Sequence, residues 1–304
     1  MTRLRPALAA AWLLAAPLAG QSIWPPPPQP PFVARDLTTA GRFTKNAEGP
    51  EFTRAGRLFV VNCERDGTVC EVFPDGRVEV FVSLPEGSTA NAIRETSTGT
   101  LLLADFSGHN VLRLDPATRR VTVHAHDDRF NQPNDLAIRS DDVLFASDPN
   151  WSDGTGQLWR VDADGTVTRL AAAMGTTNGL TLSPDERVLY VAESVQRRIW
   201  AFDVDVRGNI SGKRLVAAFE DHGLDGIKCD ASGRLFVTRY GKGTVAILLP
   251  NGTLAREVSV GGRDVSNLVF GGPEGRTVFV TLQDRGGMEL FGSDIPGARW
   301  GSPR

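Results

Sequence analysis

Six oxygen-bearing residues recur along the 304-residue chain at nearly even spacing: Glu48, Asn91, Asn134, Asn178, Asp225 and Asn267. Each stands ten or eleven residues before a short apolar run, and none of the six is Lys or Arg. A single Asn or Asp before Gly is most simply a turn or strand cap. Six at one phase of a repeat, two of them acidic, define something else. Brought together, their carboxylates repel unless a cation offsets them. Carboxylate and carboxamide oxygens suit Ca²⁺, Mg²⁺ or Mn²⁺, whereas zinc favours thiolate and imidazole. Calcium fits best a pre-built cage of neutral Asn with few carboxylates. A divalent cation held there can polarise an ester carbonyl and acidify a bound water, which is the chemistry of hydrolysis.

The elements that must position this ring are short strands. The apolar runs LFVVN, LLLAD, LFASD, LYVAE, LFVTR and VFVTL begin at Leu58, Leu101, Leu144, Leu189, Leu235 and Val278, which is 43 to 46 residues apart. That period, with several strands per unit and almost no 3.6-residue periodicity, predicts an all-β fold, a six-bladed β-propeller. The 32 glycines fit the many turns this needs. Asp66–Gly67, Asp75–Gly76, Asp164–Gly165 and Asn251–Gly252 supply positive-φ hairpin positions. The first strand of each blade lines the central channel, so the ring predicts a central-channel metal site. Closure of the propeller would draw on FVARDL, from Phe32, as the outer strand of the last blade.

Three regions follow: a signal peptide over 1–20, a proline-rich spacer over 21–31, and the propeller over 32–304. Arg3 and Arg5 precede an apolar run from Ala7 to Ala19 that ends in small residues, the form of a secretory leader. The expected location is secreted or periplasmic, with no membrane association after leader removal. A net charge of −3 argues against a nucleic-acid partner. Cys63 and Cys70 flank the Asp66–Gly67 turn. In an exported chain they can oxidise, but a directly opposed, hydrogen-bonded pair would strain the bridge, so the pairing stays open. Cys229 reads as a buried apolar residue. His124 and His126 share one face of an outer strand, His109 falls in a turn, and His222 stands near the channel mouth.

These pieces also carry a family likeness. Glu48–Gly49–Pro50, RFNQPNDLAI from Arg129, NGLTLSPDERVLYVAES from Asn178, LDGIKCDASGRLFVT from Leu224 and FGGPEGRTVFVT from Phe270 resemble the senescence marker protein, regucalcin and gluconolactonase family of sugar lactonases. The resemblance implies a divalent cation, Ca²⁺ foremost with Zn²⁺, Mg²⁺ or Mn²⁺ as alternatives, held by Glu48, Asn178 and Asp225. It implies that Asn134 touches metal or substrate. Leu224 replaces the Pro usual before that Asp, and Asn62 replaces a usual Asp. Gln132 stands where some relatives carry a substrate-gripping Arg, and Arg129 offers a different spacing. Asn91, Asn134 and Arg129 are the expected substrate contacts.

The mechanism expected is opening of a small-molecule, sugar-type lactone by metal-activated water, with Asp225 as general base and Glu48 as the alternative. Two other readings compete. One is a calcium-stabilised propeller that only binds. The other is a paraoxonase-like esterase or lactonase using His124 and His126. No G-x-S-x-G elbow occurs, which argues against that class of serine hydrolase.

Overall fold

The computed structural model describes residues 22–300. The chain forms six four-stranded antiparallel sheets, the six-bladed propeller the repeat predicts. The innermost strands, numbered by blade from one to six, are Phe43–Phe52, Ala90–Glu95, Leu136–Ile138, Thr177–Leu182, Ile227–Cys229 and Val265–Gly271. Each packs against the innermost strand of the next blade, and the sixth returns to the first. The leader over 1–20 lies outside the described residues. No helix among those described is long and apolar enough to cross a membrane.

The second strand of each blade explains the apolar runs. Leu58 and Val60 pack with blade six residues such as Phe279 and Met288, while Phe59 and Val61 pack with Ile93, Leu101 and Leu103 of blade two. Leu102 and Ala104 face on to Leu144 and Trp159 of blade three. Both faces of these strands are covered, so alternation disappears and the run reads as continuous hydrophobe. The core is therefore a circle of interfaces between blades.

Closure follows the expected route. Arg35–Asp36 adds an outer fourth strand to blade six, with Arg35 opposite Leu290 and Asp36 opposite Glu289. The described part of the segment read as a spacer, residues 22–31, is instead fastened to the propeller through Trp24. Trp24 is 5% exposed and donates its indole N–H to the Gly56 carbonyl at 2.9 Å. Its ring meets Phe52 and Phe279 edge-on, at 5.6 and 4.9 Å. One large aromatic at the head of a stiff proline run buries enough apolar surface to fasten the run down.

Cys63 and Cys70 are joined in a disulfide, with Cα atoms 6.2 Å apart. They are not directly opposed. Cys70 pairs across the ladder with Val60, and Cys63 pairs with Phe43 on the other side. Left-handed Asn62 and Glu64, at φ 66° and 55°, flank Cys63. The ladder between the two strands ends at Val61 opposite Val69, so the opposed pairing expected for the two cysteines does not arise.

Candidate functional site

Irregular pairing aims the ring into the channel. The ladder register shifts on both sides of Glu48, between Ala90 and Ala92, between Thr177 and Leu180, and between Val265 and Leu268. Each shift falls on a ring position, and a bulge redirects a side chain that a regular strand would place elsewhere. Asn134 and Asp225 achieve the same by standing just ahead of their strands. Their backbone N–H groups are held by the carbonyls of Ser147 (2.9 Å) and Thr238 (3.1 Å). The residue after Asn178 must be small: a side chain at Gly179 would run into the Asp225 carbonyl and the Ile227 amide of the next blade. The Gly179 N–H instead donates to that Asp225 carbonyl at 3.1 Å.

Five of the six predicted ring residues, Glu48, Asn91, Asn134, Asn178 and Asp225, line one open pocket of about 590 Å³. The sixth, Asn267, is 1% exposed and donates through Nδ2 to Glu48 Oε2 at 2.9 Å. Glu48 Oε2 also accepts from Gly49 N at 2.7 Å. Burial lifts the Glu48 carboxyl to about 7, with the Asp135 charge adding to the rise. Burial also lifts Asp225 well above the usual carboxylate range, and the neighbouring Glu48 charge lifts it further. Asn178 donates Nδ2 to Ser194 Oγ at 2.9 Å. The amide oxygens of Asn134 and Asn178 are buried and have no hydrogen-bond donor among the described residues. Buried acceptors are rarely left so. Two carboxylates and two free carboxamide oxygens could hold a hard cation. Two carboxylates fall short of any cluster of three Asp, Glu, His or Cys, and none occurs among the described residues.

Above the ring the pocket wall carries Phe106, Trp151 and Tyr240. Burial pushes the Tyr240 hydroxyl to about 12, and it donates to Gln283 Oε1 at 3.1 Å. His222 reaches this wall, with Nδ1 3.2 Å from Asp221. Arg129 does not join the site. Its guanidinium closes on Asp127, two residues back, at 2.7 and 2.8 Å and lies 5.2 Å over the Trp159 ring. A carboxylate that close in sequence captures it before any channel ligand can. His124 and His126 lie on Val121–His126, the outermost strand of blade two, and line no part of the pocket.

A charged layer beneath the ring escaped the sequence reading. Glu51, Arg94 and Lys228 stand three residues after Glu48, Asn91 and Asp225, and the same repeat alignment contains them. At their centre is Asp135, fully buried. Its Oδ1 accepts from Arg94 Nη2 at 2.6 Å and Leu136 N at 2.8 Å, and its Oδ2 from Lys228 Nζ at 3.2 Å and Leu180 N at 3.3 Å. Burial opposes the Asp135 charge, but Lys228 and Arg94 more than offset it and hold the carboxyl below its usual range. Burial, then Arg94, brings Lys228 down to about 8. Below this layer Arg299 bridges Glu51 and Glu95. Nothing local in the sequence marks Asp135, because its partners Arg94, Leu180 and Lys228 come from three other blades.

The fold and the acidic, amide-rich channel mouth define a class of six-bladed propellers with an oxygen-lined central site. The chain belongs to the family described as the SMP-30/Gluconolactonase/LRE-like region, whose pattern matches residues 46–284. It is 27% identical to a gluconolactonase of Zymomonas mobilis over 77% of this chain and 75% of that one. It is 30% identical to a pentonolactonase of Haloferax volcanii over 59% of this chain and 62% of that one. Among solved structures, a calcium-binding regucalcin from Agrobacterium tumefaciens superposes with a TM-score of 0.76 at 25% identity, covering 88% of this chain and 96% of that one.

Proposed function

We propose that this protein is an exported, metal-dependent lactonase that opens sugar-type lactones with Asp225 as general base. One observation carries the reading: the Glu48 and Asp225 carboxylates converge with the donor-less amide oxygens of Asn134 and Asn178 at the floor of an open pocket. Glu48, Asn178 and Asp225 would hold the cation, with Asn134 beside them, and this hard oxygen set fits Ca²⁺ in particular. When bound, such a cation supplies Lewis-acid polarisation of an ester carbonyl and a more acidic water.

The chain's own groups do the rest. Asp225 Oδ takes a proton from the attacking water and returns it to the ring oxygen as the lactone C–O bond breaks. Without a cation, burial and the Glu48 charge raise the Asp225 carboxyl; a bound cation would favour the ionised form that a base needs. The Asn91 and Asn134 carboxamides orient substrate hydroxyls. Phe106, Trp151 and Tyr240 offer flat apolar faces to a sugar ring and keep bulk water off it. Lactone hydrolysis in the gluconolactonase and pentonolactonase relatives supports the substrate class. The Cys63–Cys70 disulfide and the leader-like sequence support export, since disulfides persist in oxidising compartments.

The test is Asp225→Asn. With glucono-δ-lactone at controlled pH, and calcium raised until the weakened site is saturated, turnover should fall at least about 100-fold, the usual worth of a general base. Wild-type turnover in this variant would remove Asp225 from the role.

A further inference from the structure

We propose that Asp135 is the positioning residue of this site: by tying together the strands that carry Asn91, Asn134, Asn178 and Asp225, it sets how well the ring holds a divalent cation. The geometry is specific. Asp135 follows Asn134 directly. Its carboxylate receives the backbone N–H of Leu180, two residues beyond Asn178, and the ammonium of Lys228, three beyond Asp225. It also receives the guanidinium of Arg94, three beyond Asn91. One side chain thus fixes blades two to five against each other, at strand rises of about 3.3 Å per residue beneath the ring. Arg94 extends the tie to blade one, with Nη1 3.8 Å from Glu51, three residues beyond Glu48.

The arrangement matches what supports a metal centre. Ligand side chains hold their geometry only when the groups behind them are fixed, and losing such a support weakens metal affinity about 10–100-fold. Full burial makes Asp135 irreplaceable by water, and its four hydrogen bonds leave no loose arm. The affinity claim rests on the reading of the ring as a cation site, whereas the tie between strands does not.

The test compares the wild-type chain with Asp135→Asn and with Asp135→Asn/Lys228→Met. The double variant removes Lys228 along with its partner and leaves the buried Arg94 facing Glu51, so that the remaining charges balance. Calcium affinity is read by titration calorimetry, strand mobility by deuterium uptake, and stability by Tm. Asp135→Asn should bind Ca²⁺ 10–100-fold more weakly and take up deuterium faster in peptides spanning 90–95, 177–182 and 227–229. The double variant should regain Tm but not affinity. Affinity returning together with Tm would reduce Asp135 to a structural charge and overturn the proposal, as would wild-type affinity in Asp135→Asn. Should the wild-type chain bind no calcium, the cation reading fails on its own account. Uptake then decides: a rise confined to those strands upholds the tie, and a uniform or absent rise overturns it.

Discussion

Burial raises the carboxyls of both Glu48 and Asp225, the Asp135 charge adds to the rise at Glu48, and the Glu48 charge adds to the rise at Asp225. This gives the metal-free protein a defined pH response. The Glu48 carboxyl is pushed up to about 7 in the folded chain, well above the usual carboxylate range. Between that range and this value the native state binds more protons than the unfolded chain, so stability falls as pH rises through the window. Thermal melts in chelator should show Tm dropping from pH 4.5 towards pH 7, and added calcium should cancel the drop. A Tm that rises across the window in chelator would contradict the electrostatics described. The ring was legible in the sequence because carboxylate and carboxamide residues recur at one phase. Arg129 was misplaced because nothing in a spacing rule reveals that Asp127 already occupies its guanidinium.

At the scale of the strand, bulges and a glycine do the aiming. Blade period and turn glycines are local signals, and Gly56, Gly99, Gly233 and Gly275 take the positive φ that their turns require. The bulges are not local, since a register shift belongs to two strands and shows only once they pair. Gly179→Ala tests this level. A Cβ there meets backbone of blade five, which cannot yield as a flexible side chain would. Overpacking of this kind costs about 1–3 kcal/mol, measurable by urea unfolding, and it should also displace Asn178 and weaken cation binding. An unchanged unfolding midpoint would show that the two blades are not in register as described. The charged layer below belongs to the same scale. Its members were present in the repeat alignment three residues on, but their pairing with Asp135 needs the ring of strands to exist first.

The whole molecule is a circle that must be fastened, and it is fastened from both ends of the chain. Near the N-terminus, Arg35–Asp36 completes blade six and Trp24 packs across Phe52 of blade one and Phe279 of blade six. Near the C-terminus, Trp300 meets Phe52 at 5.9 Å and donates to the Phe270 carbonyl, and Arg299 bridges blades one and two. The outer closing strand was foreseeable from FVARDL. The docking of Trp24 was not, because a proline run reads as a spacer wherever its neighbour's contacts are distant in sequence. Trp24→Ala should cost about 3 kcal/mol, lowering the unfolding midpoint without changing the calcium affinity of the folded protein. A substitution without effect on stability would leave that segment as the spacer its composition describes.

On the function proposed above, this propeller hydrolyses lactones through a cation held by Glu48, Asn178 and Asp225. The most direct measurement is acid release from glucono-δ-lactone at constant pH, by protein stripped with chelator and then titrated with Ca²⁺. The rate should lie near the spontaneous one after stripping, and activity should return saturably as calcium is added. Activity undiminished in the stripped protein, or no acceleration at any calcium concentration, would contradict it.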